Sequence, residues 1–211
     1  MKRKIIQLAT NTVVVSIPSK LAKKYGLKKG EEVDIEESGT DLLIKTGKAE
    51  SHRSISVDVE HFHERTLKYF LSAVHKLGFD EIILNHRTTK FSKTIDFFAK
   101  NYILGFIVVE QTMNKTVLKS ISLDTGTEFD PALRRIFLIL ISLGESMHEF
   151  ISSKRFSELL SLDSLDHSVD QLSGFCLRLI NKGLYGSEEK KISLAVIVWN
   201  LEKIGDEYRV L

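Results

Sequence analysis

Pro18 constrains this chain more than any other residue, because it divides a run of two opposite characters. Before it stand Thr12, Val13, Val14, Val15, Ser16 and Ile17; after it come Ser19, Lys20, Leu21, Ala22, Lys23, Lys24 and Tyr25. Proline fixes φ and donates no backbone hydrogen bond, so it suits the first turn of a helix and not a central strand. Residues 12–17 therefore read as a strand. The residues after Pro18 read as one short helix that Gly26 ends in left-handed geometry. Residues 3–8 alternate enough for a preceding strand, with Thr10-Asn11 as the turn. Residues 31–35 and 41–46 read as two more strands, hinged at Gly39-Thr40. The order is ββαββ within about fifty residues, a length that buries too little apolar surface to be stable alone. Its strands need partner strands, and an intertwined homodimer supplies them.

Charge follows the same boundary. Residues 1–30 hold Lys2, Arg3, Lys4, Lys20, Lys23, Lys24, Lys28 and Lys29 and no acidic residue. Of the chain's 30 basic and 28 acidic side chains, 22 basic and all 28 acidic ones then fall in the remainder. The net charge of +2 hides a basic head on an acidic body. A basic head is suited to nucleic acid: lysines neutralise phosphate and release counterions, whereas Asn11 and Arg3 are suited to base edges.

The residues that carry this pattern are Arg3-Lys4-Ile5-Ile6-Gln7-Leu8, then Val14 through Tyr25 with its Ile-Pro-x-x-Leu segment, then Gly26-Leu27-Lys28-Lys29-Gly30-Glu31-Glu32-Val33. This head resembles the swapped-hairpin DNA-binding domain of the AbrB/MazE transition-state regulators. The resemblance implies an interlocked dimer docked on double-stranded DNA through Arg3, Lys4, Lys23 and Lys24, with Lys2, Lys20 and Asn11 as further candidates. The first turn departs from the family pattern: a Gly-Arg pair is usual there, and Thr10-Asn11-Thr12 stands instead.

Beyond a small polar linker at 47–51, residues 54–59, 79–84, 106–111 and 116–121 read as strands. Residues 63–77, with Leu67, Phe70, Leu71, Val74 and Leu77, and 91–103, with Ile95, Phe97, Phe98 and Ile103, read as amphipathic helices. That is βαβαββ, a small α/β domain over 48–123. His61 and His63 tempt a metal reading, but at the start of a helix residues two apart diverge, and the pair reads as solvated. No Gly-rich phosphate loop or nucleophile motif is present, and no enzymatic activity is expected.

Three long helices follow over 124–211, expected at 130–152, from an N-cap at Ser153 to Gly183, and from Ser187 onward. Short turns favour an antiparallel three-helix bundle. Carboxylates recur four residues apart at Glu145/Glu149, Asp166/Asp170 and Glu202/Asp206, which puts each pair on one helix face. Counted from a turn centred near Tyr185, Asp166 and Glu202 differ in height by only about 3 Å. Converging carboxylates need protonation or a cation such as Mg²⁺, Mn²⁺ or Fe, though a solvated acidic stripe has the same spacing.

Two segments sharpen this. Asn200-Leu201-Glu202-Lys203-Ile204-Gly205-Asp206 resembles the PhoU signature, and Asp166-His167-Ser168-Val169-Asp170-Gln171-Leu172 resembles its partner motif. Leu133-Arg134-Arg135-Ile136-Phe137 and residues 105–111 are similar to archaeal PhoU-related regulators that carry an AbrB-like head. The resemblance implies a metal site at Asp166, Asp170, Glu202 and Asp206, and regulation of phosphate uptake, with a phosphate transporter's ATPase subunit or a sensor protein as partner. PhoU proteins carry two three-helix bundles and this sequence carries one, so the second is either supplied by a partner chain or lost. The expectation is an α+β multidomain regulator: swapped-hairpin head at 1–47, α/β middle and helical tail. An antitoxin is one alternative, although antitoxin tails are usually short and disordered; a transporter adaptor without a specific operator is another. One cysteine and the absence of a membrane-length apolar run favour a reducing, cytoplasmic location without membrane insertion.

Overall fold

The computed structural model describes residues 2–38, 40–46, 52–121, 124 and 126–210. The chain divides into two compact units, Met1–Glu50 and Ser51–Leu211. The linker read at 47–51, which held the 47/48 boundary, lies outside the described residues.

The head is two separate hairpins and one short helix. β1 (Ile5–Ala9) and β2 (Thr12–Val15) pair antiparallel, with Ile5 opposite Val15 and a bulge between Gln7 and Ala9. Pro18 stands one position before α1 (Ser19–Lys24), as its N-cap, and its carbonyl accepts the N–H groups of Leu21 and Ala22 at 2.8 and 2.9 Å. Gly26, at φ 60°, closes the helix in the left-handed geometry expected of it. β3 (Asp34–Ser38) and β4 (Asp41–Lys45) form the second hairpin. β3 begins three residues later than the alternation implies, because Glu31 folds back to accept the Lys28 N–H at 2.9 Å and holds 28–31 as a turn. Among the side chains described in this unit none is buried, and Ile5, Ile6, Leu8, Val13, Ile35 and Leu42 stay exposed.

The second unit opens with β5 (Ser54–Asp58), α2 (Glu64–Lys76), β6 (Glu81–Asn85), α3 (Ser92–Asn101), β7 (Phe106–Gln111) and β8 (Lys115–Ser120). The sheet order is β5-β6-β8-β7, with β5 parallel to β6 and the other pairings antiparallel. Leu67 and Leu71 of α2 and Ile95 and Phe98 of α3 cover Ile82, Leu84 and Leu118 of the sheet. Alternation in the strands and a helical stripe in α2 suffice to build this layer.

α4 (Phe129–Ser152), α5 (Asp163–Asn181) and α6 (Glu188–Val210) form the helical layer around Ile136, Leu140, Val169, Cys176 and Val198. The second helix starts later than expected. Ser153 does not cap it; its hydroxyl instead donates to the Glu149 carbonyl at 2.7 Å and finishes α4. Lys154 then takes φ 57°, and residues Phe156–Leu162 form a 3₁₀ segment. The Ser161 hydroxyl bonds the Glu158 carbonyl at 2.6 Å, and such i−3 bonds favour the tighter turn.

Residues 51–211 are one unit because α5 is central: it packs on α4 and α6 and also on α2. Gly174 lies at that last contact, where a Cβ would meet Lys76 Cε at 3.6 Å and His75 Nδ1 at 3.7 Å, ordinary packing distances. Arg178, fully buried on α5, reaches across the junction. It donates to Asp80 at 2.6 Å, Asp124 at 2.9 Å and the Phe79 carbonyl at 2.5 Å, while Lys182 donates to the same two carboxylates at 2.7 and 2.9 Å. Burial works against charge on Asp80, but bonds from Lys182 and Arg53 outweigh it and hold its carboxyl below the usual range. No helix among the described residues is long and apolar enough to cross a membrane.

Candidate functional site

The basic head presents every residue assigned to it from the sequence. Lys2, Arg3 and Lys4 precede β1, Asn11 sits in the β1–β2 turn, and Lys20, Lys23 and Lys24 lie on α1; all seven are exposed. Lys23 and Lys24 occupy the last turn of α1, where cations are favoured by the helix dipole. Lys24 also stands 5.0 Å over the Tyr25 ring. Arg3 lies at the edge of an open apolar groove that Val15, Ile17, Tyr25 and Ile44 line.

The acidic residues of the body converge as well. Asp166, 3% exposed, and half-buried Asp170 project from adjacent turns of α5 toward α6. Position 205 is glycine where the two helices meet: a Cβ there would lie 3.2 Å from Asp166 Oδ1 and 3.4 Å from Val169 Cγ1. Gly205, rather than Glu202, thus stands opposite Asp166, and the antiparallel course brings Glu202 beside Asp170. Burial pushes the Asp170 carboxyl up to about 6, aided by the charges of Asp166, Glu202 and Asp206. Glu145 and Glu149 do not join this group. Both are exposed, and Glu149 is bridged to Arg155.

Sequence spacing missed three members. Lys76 of α2 donates to Glu202 at 3.1 Å and puts a built-in cation beside the carboxylates. Lys203 bridges Asp206 on the same helix. His167 lies between the two aspartates in sequence, 3.4 Å from the Tyr102 hydroxyl and 3.6 Å from Asp163. One ligand atom each from Asp166, His167 and Asp170 lies within 4.8 Å of the others, a donor set of two carboxylates and an imidazole. Carboxylate oxygen and imidazole together suit Mn²⁺ or Fe²⁺ better than Mg²⁺. His61 and His63 are exposed at the start of α2 and join no such group among the described residues.

No curated protein and no solved structure matches the chain. Its first part does find a family: residues 6–51 match the model of antidote-toxin recognition MazE, bacterial antitoxin, which makes the head similar to a MazE-type domain.

Proposed function

We propose that the protein is a homodimeric DNA-binding transcriptional regulator, non-enzymatic, whose helical body senses a signal. The observation that carries this reading is the head itself. It matches a MazE-type family, exposes all seven candidate DNA contacts, and has no buried side chain among those described. An isolated two-stranded hairpin is marginal, and the apolar faces of β1–β4 call for strands from a second copy. A swapped-hairpin dimer completes the core and doubles the basic surface. An antitoxin reading has the printed family description in its favour. Against it stands a body of about 160 residues with two apolar cores, unlike a short disordered tail.

For the body, the PhoU-like motifs at 166–172 and 200–206 support a role in phosphate-uptake regulation. A transporter ATPase or sensor protein is the natural partner of such a body. The meeting of these two motifs across Gly205 adds support. In this reading Asp166, Asp170, Glu202 and Asp206, with His167, hold a divalent cation that neutralises the cluster.

Titration of duplex DNA with the full-length protein at several salt concentrations tests the head. Log affinity falls linearly with log salt, and Lys23→Ala with Lys24→Ala lowers the slope by about one unit per lost phosphate contact. An unchanged slope removes these lysines from the interface. Absence of any salt-dependent DNA binding removes the regulator reading.

A further inference from the structure

The outer face of α4 carries a pattern that is its own complement when reversed. Arg134, Leu138, Ile141 and Glu145 stand at i, i+4, i+7 and i+11, and eleven residues are three helical turns to within about 20°. The four side chains therefore form one stripe, and all four are exposed. Phe137 borders the stripe on the side of α6. Gly144, two turns further along that side, lies where a Cβ would meet the Tyr208 hydroxyl at 3.0 Å. Ile204 stands one turn before Tyr208 and Ile197 two turns before Ile204, so the apolar face continues onto α6. Phe137, Leu138, Ile141, Ile197 and Ile204 are each 45 to 56% exposed.

Two features name what covers this face. The first is the reversal itself, which matches position 134 with 145 and 138 with 141. An antiparallel two-fold contact, level with the peptide between Ile139 and Leu140, sets Arg134 against Glu145 of a second copy and Leu138 against Ile141. Phe137 then lies over Ser142 of that copy, a small residue. An isologous contact demands such self-complementarity, and an unrelated partner does not. Arg134 and Glu145 make no ion pair within the chain among the described residues. The second feature is area. Five half-exposed side chains of this size leave roughly 450 Å² of apolar surface in one patch, a size that is often functional. Two such patches, with the flanking charged stems, approach the ~1,200 Å² at which specific interfaces begin. A contact of that size is weak between free molecules. A dimer joined through its heads holds its two bodies in one molecule, at an effective concentration on the order of millimolar.

We propose that this α4–α6 face is a second dimer contact, in which α4 packs antiparallel on α4 of a second copy about a two-fold axis. Its strength rests on the homodimeric reading of the head, and its geometry does not.

The test uses the full-length protein carrying Arg134→Cys with Glu145→Cys. Within one chain these positions are about 16 Å apart along the helix, beyond the reach of a disulfide. The native Cys176 is buried and does not compete. Copper-phenanthroline oxidation converts the double variant to a reducible covalent dimer, at a yield at least about tenfold that of either single variant or of Lys100→Cys with Glu145→Cys, where Lys100 is exposed on α3. Adding Ile141→Glu to the cross-linking pair lowers the yield about tenfold in a protein with an unchanged circular dichroism spectrum. Single variants that cross-link as well as the pair overturn the inference, as does a yield that Ile141→Glu leaves unchanged. Sedimentation velocity of the wild type separates the two readings. A dimer whose 134/145 pair stays uncross-linked keeps the head dimer, gives the face to another occupant and overturns the contact. A monomer whose cross-linking rises with protein concentration supports the contact and removes the head dimer. A monomer without cross-linking overturns both.

Discussion

Replacing Arg178 with methionine tests whether a buried ion quartet joins the two layers of the body. Arg178 and Lys182 face Asp80 and Asp124 with N···O distances of 2.6 to 2.9 Å, so two positive and two negative groups balance. Methionine keeps much of the stem but removes one cation and leaves two carboxylates to share Lys182. It also strips a donor from the Phe79 carbonyl. Breaking one partner of such a set costs about 3–5 kcal/mol, because the cost is that of a buried charge without compensation. Set against a total of about 5–15 kcal/mol, that is a large fraction of the stability. In urea followed by far-ultraviolet circular dichroism, the midpoint falls by about 2 M with little change in slope. The double variant Arg178→Met with Asp124→Leu restores charge balance, with Lys182 facing Asp80, and recovers part of the loss. A single variant destabilised by less than about 1 kcal/mol would refute the reasoning. So would a double variant weaker than the single one.

His75 gives the same junction a pH dependence. Burial and the nearby Arg178 guanidinium lower it to about 4, so the ring is neutral in the folded protein while the unfolded chain takes up a proton below about 6.5. Stability from this group is therefore full above pH 6.5 and declines as the pH falls toward 4. Urea midpoints between pH 7.5 and 4.5 should show that decline, and His75→Gln should flatten it; identical profiles would exclude His75 as the source. The acidic cluster yields a separate test: added Mn²⁺ raises the melting temperature by mass action, and Asp170→Asn with Asp206→Asn abolishes the rise. A transition that neither Mn²⁺ nor chelator moves makes the cluster an ordinary acidic groove balanced by Lys76.

The parts of this fold that were legible in the sequence are those set by local periodicity. The β-branched run before Pro18, the stripe Leu67, Leu71 and Val74 of α2, and Gly78 at φ 85° behind it each mark an element by neighbours within a few residues. The late start of α5 was not legible, because Leu159, Leu162, Leu165 and Val169 continue a helical stripe through the 3₁₀ segment. What separates α5 from α4 is backbone geometry, Lys154 at φ 57° and the 3₁₀ turns of Phe156–Leu162, which leaves no mark on hydrophobic spacing. Arg178 was invisible for a different reason. Its partners Asp80 and Asp124 lie 98 and 54 residues away in the chain, and nothing in an isolated helical arginine announces that it will be buried.

The acidic cluster shows both limits at once. Spacing of four residues on α5 and on α6 was enough to put Asp166 with Asp170 and Glu202 with Asp206, because a helix fixes its own faces. It was not enough to settle what neutralises them. That depends on α2, an element of the α/β layer, whose Lys76 reaches Glu202 across 126 residues of sequence. The counter-ion changes the chemical question. Four carboxylates alone would require a cation or a proton. With Lys76 and Lys203 supplied by the fold, part of that charge is already met. Any ligand of this level therefore competes with an internal lysine.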